Sequence, residues 1–172
     1  MKRTGLIIIV ALLALAGGMM AKEFLSKTEQ TSPAPLPDFN LPDVSGKLHS
    51  ISEWQDKILV INFWATWCPP CQEEIPDLIA LHEDKKNNLV VIGIAMDYQN
   101  AKQVTDFADG LLVDYPIVLG NAQVANQIGP IQGLPTTYLY NPDGKMVAQQ
   151  VGAITRESVE SFIAKKGGRA KK

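Results

Sequence analysis

Ile58-Leu-Val-Ile-Asn-Phe-Trp-Ala-Thr-Trp-Cys-Pro-Pro-Cys71 is the stretch that decides the fold. Its first six residues are apolar except Asn62, which predicts a strand buried on both faces. Pro69 and Pro70 suit the first turn of a helix, where a missing N–H costs nothing, and the helix is expected from about Pro70 to Asp84. Two cysteines therefore stand where a buried strand hands over to a helix. Disulfide exchange needs one accessible, partly ionised thiol and a second thiol within reach to resolve the mixed disulfide. At the start of a helix, unpaired N–H groups and the helix dipole favour a Cys68 thiolate. Cys71, three residues on, returns to the same face. Pro69 and Pro70 stiffen this loop but withhold two donors, and no histidine lies between the cysteines. That favours a reductant over a strong oxidant.

Other uses of the pair lack their companions. Cys68 and Cys71 are the only cysteines, and His49 and His82 the only histidines. A zinc site would need two further ligands at close spacing, so no metal is expected. Haem attachment would need a histidine where Gln72 stands. A structural disulfide closing so short a loop would stabilise little.

Charge and composition narrow the function further. The 172 residues are 46% hydrophobic, which excludes a largely disordered chain. Sixteen basic against eighteen acidic residues argue against a nucleic-acid partner. The balance is uneven: residues 22–164 hold 9 bases and 18 acids, and the last eight residues hold five bases and no acid. Residues 166–172 are read as a basic tail, frayed in solvent or touching anionic headgroups.

From Thr4 to Ala21 no residue is charged. As a helix this stretch would span about 27 Å, enough for a bilayer core. Lys2 and Arg3 before it would stay in the cytoplasm. Residues 1–21 are expected to be a single-pass anchor in the cytoplasmic membrane, with the rest on the extracytoplasmic, periplasmic side. The alternative is a signal peptide cleaved near Ala14-Leu15-Ala16, leaving a soluble periplasmic protein. Residues 22–35, rich in Ser, Thr and Pro, form a tether.

Downstream, strands and helices alternate. A small hairpin is expected around the turn Asp43-Val-Ser-Gly46, and a second buried strand at Leu89–Ala95. Next come a helix from Gln99 to Asp109, a short strand Pro116–Leu119, and a helix from Asn121 to Ile128 stopped by Gly129-Pro130. A hairpin follows, Thr136–Tyr140 and Lys145–Val151 around Asn141-Pro-Asp-Gly144, and then a helix from Thr155. The whole reads as an α/β domain over residues 36–165 with a mixed central sheet flanked by helices.

Trp67-Cys-Pro-Pro-Cys71 after Val60-Ile-Asn-Phe-Trp-Ala65 resembles the thioredoxin superfamily, and more finely its membrane-anchored TlpA/ResA-like branch. The resemblance implies a thioredoxin-like fold in which Pro76 kinks the active-site helix. It also implies that Gly133-Leu-Pro-Thr-Thr-Tyr138 is the cis-proline loop, with Pro135 facing the cysteines. Leu134, Pro135, Thr136 and Trp67 would then meet the substrate, while Pro69, Pro70, Pro76 and Asn62 support the site. Asp97–Gly129 falls where the branch carries a helix–strand insertion. The implied activity is reduction of disulfides in partner proteins, often for cytochrome c maturation. The redox-active Cys68–Cys71 pair serves in place of a cofactor, and a membrane thiol-transfer protein is the electron donor.

Departures from the family matter. Thioredoxin has a buried acid where this chain has Asn62. The TlpA/ResA-like pattern has a glutamate three residues after the second cysteine, and Glu74 matches it as proton acceptor for Cys71. The competing reading makes Glu74 a solvated helix-face charge like Glu73. Thr136 stands where cytochrome-specific reductases have glutamate. His82 is expected on the helix surface, and Trp54 and Trp64 in the packing. Two functional alternatives stay open. One is a redox-sensing or chaperone-like binding module. The other is a peroxiredoxin-like peroxidase, suggested by Pro37-Asp-Phe-Asn-Leu41, although Thr66 lies two residues before Cys68 rather than three.

Overall fold

The computed structural model describes residues 35–84 and 88–165. The anchor at 1–21, nearly all of the tether and the tail at 166–172 lie outside the described residues. Among those described, no helix is long and apolar enough to cross a membrane.

The predicted central strand forms as β3, Ile58–Trp64, with all seven residues buried. Strand β4, Leu89–Ala95, runs parallel to it on one side, and β6, Thr136–Tyr140, antiparallel on the other. Strands β5, Ile117–Leu119, and β7, Met146–Val151, complete a mixed five-stranded sheet in the order β5-β4-β3-β6-β7. Strands β1, Asn40–Pro42, and β2, Leu48–Ser50, make a separate hairpin. Asp43 organises its turn by accepting from the Ser45 and Lys47 N–H groups. A short 3-10 turn over Ile51–Trp54, with a capping box between Ser50 and Glu53, leads into β3.

Among the described residues four α-helices flank the sheet: α1 Pro69–Glu83, α2 Ala101–Gly110, α3 Ala122–Ile128 and α4 Arg156–Lys165. Asn100 caps α2 and Asn121 caps α3, each side chain accepting from the N–H three residues on. The elements expected within the described residues are present, with ends displaced by a residue or two. Residues 97–129, where the resemblance implies an insertion, contain α2, β5 and α3.

The two-residue period of β3 sorts the core. Leu59, Ile61 and Phe63 pack with Phe39, Trp54, Ile92, Ile94, Tyr138 and α3. Ile58 and Val60 face the other way, onto Leu78 and Leu81 of α1 and Val159 of α4. Asn62 belongs by alternation to this second face, the one covered by the active-site helix. Trp64 follows on the same side and crosses β4 above Gly93. A Cβ at Gly93 would sit 2.9 Å from the indole Nε1 and 3.0 Å from the Tyr115 ring. Glycine is what lets both rings lie there.

Candidate active site

The end of β3 delivers Cys68 to the start of α1. Cys68 is the cap residue, in extended conformation, and Pro69 and Pro70 occupy the first two helical positions. Neither proline has an N–H, so the first donor of the helix is Cys71 N–H, which points at Cys68 Sγ at 3.3 Å. The two cysteines are disulfide-bonded, with Cα atoms 5.3 Å apart. Pro76 lies within α1, where it leaves the Gln72 carbonyl without its helical partner.

Exposure departs from expectation. Cys68 is only 3% exposed and Cys71 0%. Both pack in one cluster with Trp64, Ala65, Ala95 and Val104, against which Val44, Tyr98, Phe107 and Leu134 are laid. Helix α2 supplies Val104 and Phe107, and Phe107 stacks on Trp64 at 5.2 Å. Gln103 reaches from the same helix to donate to Thr66 Oγ1 at 2.9 Å. These contacts hold α2 against the segment that carries Cys68. Trp67, the residue before Cys68, is 57% exposed and presents an apolar face to solvent.

The Leu134–Pro135 peptide bond is cis. Leu134 packs against the cysteine cluster and Pro135 is buried. Thr136 is not open to a partner's backbone in the way the resemblance implies. It pairs within the sheet with Phe63 on one side and Val151 on the other. Its hydroxyl donates to the Gly133 carbonyl at 2.6 Å, and the Pro135 carbonyl accepts from Gly152 N–H at 2.8 Å. Leu134 itself is half-buried.

Glu74 is 2% exposed, which removes the solvated-face reading; its neighbour Glu73 is exposed. Each carboxylate oxygen accepts one bond: Oε1 from Asn62 Nδ2 at 2.7 Å and Oε2 from the Ile154 N–H at 2.8 Å. Burial pushes the Glu74 carboxyl up to about 7, against the pull of the Ile154 and Asn62 hydrogen bonds and with a smaller push from Asp77. A base is most useful when its pKa lies near the working pH. Asn62, where thioredoxin has its acid, thus serves the carboxylate one helical turn beyond Cys71.

Other expected placements divide. Trp54 and Trp64 are buried, as packing residues should be. His82 is not a free surface side chain. It is half-buried, its Nδ1 accepts from the Val91 N–H at 3.3 Å, and its ring meets Tyr115 edge-on. His49 is clamped between Asp43 at 3.0 Å and Glu53 at 2.9 Å, and these bonds hold its pKa above the usual histidine value. Sequence reasoning passed over Thr137, Ile154, Val104, Phe107 and Gln103. Only the first carried a signal, because it sits in the proline loop already singled out. Among the described residues no group of three or more His, Cys, Asp or Glu is placed to hold a metal ion.

A disulfide capping a helix at the end of a central strand, packed against a cis-proline loop, defines a thioredoxin-fold dithiol–disulfide protein. The AhpC/TSA family model matches residues 33–149, and the chain belongs to that family, on its TlpA/ResA-like side. The thiol-disulfide oxidoreductase ResA of Bacillus subtilis is 31% identical over 162 residues, 94% of this chain and 89% of that protein. ResA of Geobacillus kaustophilus is 34% identical over 161 residues, 91% and 90% of the two chains. A thioredoxin-family thiol:disulfide interchange protein from Chlorobium tepidum has the same fold. It superposes with a TM-score of 0.70 at 27% identity, over 77% of this chain and 95% of that one. The protein is a thiol–disulfide oxidoreductase.

Proposed function

We propose that the protein is a reductase of disulfides in partner proteins, held by its N-terminal segment at the extracytoplasmic face of the cytoplasmic membrane. The observation that carries this reading is a helix-capping cysteine pair with a buried carboxylate one turn beneath it. In the reduced form, the Cys68 thiolate attacks one sulfur of a partner disulfide. A mixed disulfide forms, and the partner's other sulfur leaves as a thiolate and takes a proton from water. Cys71 then gives its proton to Glu74 and attacks Cys68 Sγ. That closes the Cys68–Cys71 disulfide and frees the partner's second thiolate. Two electrons have passed to the partner, and a membrane thiol-transfer protein returns them by the reverse exchange. Leu134 and the exposed face of Trp67 orient the partner's extended segment. Cytochrome c maturation is one extracytoplasmic pathway that would use such a reductant.

Insulin reduction tests the activity, and the Cys71→Ala variant tests the order of events. This variant should retain partners covalently on Cys68. A chain that binds partners with no thiol turnover would instead be a redox-sensing or chaperone-like module.

A further inference from the structure

Resting on the reading of Glu74 as proton acceptor, we propose that Asn62 and Thr137 are a positioning pair that holds Glu74 in one orientation in both its ionised and its neutral form. Asn62 on β3 and Thr137 on β6 are register partners, so their side chains leave the sheet together on the face covered by α1. Both are buried, at 1% and 0% exposure. The single Asn62 Nδ2 uses both its protons: one goes to Glu74 Oε1 at 2.7 Å, the other to Thr137 Oγ1 at 3.0 Å. The first bond steers the carboxylate, and the second fixes the plane of the amide that does the steering.

The two sides of Glu74 differ in what they tolerate. Oε2 faces the Ile154 N–H, a backbone donor that cannot turn into an acceptor. A proton arriving from Cys71 is therefore directed to Oε1, on the Asn62 side. There the amide can rotate by half a turn, placing Oδ1 where Nδ2 stood. Oδ1 then accepts from the new Glu74 hydroxyl and from Thr137, whose own hydroxyl changes from acceptor to donor. Threonine permits this because a hydroxyl does both. Valine, of the same shape, does neither. The other titratable groups that bear on Glu74 are Asp77 on α1 and the Tyr115 phenol ahead of β5, and the reduced form adds the Cys71 thiol three residues earlier on α1. Asn62 is bonded to Oε1 and Thr137 to Asn62, and both can reverse their hydrogen bonds.

The test follows resolution in the reduced full-length chain mixed with 5,5′-dithiobis(2-nitrobenzoate) by stopped flow. Attack by Cys68 releases one thionitrobenzoate, and resolution by Cys71 releases the second. In the wild-type chain the second phase should rise along a pH limb that Glu74→Gln abolishes. Thr137→Val should move that limb upward by about half a unit or more, because the ionised carboxylate loses its fixed donor. Thr137→Ser, which keeps the hydroxyl, should restore the wild-type profile, and Asn62→Leu should move it at least as far as Thr137→Val. If Asn62→Leu does not fold, the valine–serine comparison at Thr137 carries the test alone. A limb that depends on Glu74 but is identical with valine and serine at 137 overturns the positioning pair and spares the base. Absence of any Glu74-dependent limb overturns the base, and the pair with it.

Discussion

Ile154 donates its backbone N–H to Glu74 Oε2 across 2.8 Å, tying the loop before α4 to the active-site helix 80 residues earlier in the chain. The carboxylate of a candidate base is thereby held by the last third of the sequence. Glu74→Gln keeps this contact, because the Gln carbonyl can accept from Ile154 while its NH₂ meets a rotated Asn62 amide. The variant should therefore fold and lose only the base. Resolution by Cys71 should slow by about 10²-fold or more, the range in which general-base help falls, with Cys68's first attack nearly unchanged. Burial of Glu74 raises this above the tenfold expected of a solvated carboxylate. Glu73→Gln, exposed on the same helix, is the control; equal small effects would leave water as the proton acceptor.

The same burial makes stability depend on pH. The Glu74 carboxyl rises from 4.5 to about 7 on folding, so the folded chain binds the extra proton between those values. Stability from this group is fully present below about 4.5 and is lost as pH climbs through 7, by about 3 kcal/mol in all. His49, whose pKa is also raised on folding, acts in the same direction above 6.5. Urea midpoints of the oxidised chain should fall between pH 5 and pH 8. In Glu74→Gln most of that fall should disappear, leaving the part due to His49. An unchanged slope in the variant would contradict the buried, titrating Glu74.

How much of this was legible in the sequence follows from the range of each interaction. The strand–cysteine–helix junction, the two hairpins and the proline loop are local patterns, each written in a dozen residues or fewer. Asn62 looked like a missing acid because its partner lies across the sheet–helix interface, and no spacing announces that Nδ2 meets Glu74. The Ile154 contact comes from 80 residues away. His82 had a helix-surface spacing, yet it accepts from a β4 amide. The Cys68 sulfur was expected to be open because the chemistry asks for it, yet it is 3% exposed in a cluster that Val104 and Phe107 of α2 join.

The hold of α2 on the residues before Cys68 is testable at Gln103. Its Nε2 holds Thr66 Oγ1, while its own carbonyl oxygen accepts from Gln99 N–H. Gln103→Ala should cost about 1 kcal/mol of stability, the usual worth of such a bond. Amide hydrogen exchange across residues 65–68 should quicken. Unchanged protection there would mean that α2 does not restrain the loop.

Export is a separate expectation, set by residues 1–21 and not by the domain. A periplasmic reporter fused after Lys27 should be active and sediment with membranes. Recovery in the soluble periplasmic fraction would mean cleavage near Ala16.

The central claim is the direction of electron flow. The Cys71 N–H is the first donor the helix aims at Cys68 Sγ, Pro69 and Pro70 supply none, and no cationic side chain stands between the cysteines. The thiolate is helped too little for a strong oxidant. Equilibrating the full chain with glutathione buffers, and following the Cys68–Cys71 pair by tryptophan fluorescence, gives its reduction potential. The account predicts a value near that of thioredoxin, about −270 mV. A value above about −180 mV, the range of isomerases and oxidants, would contradict it.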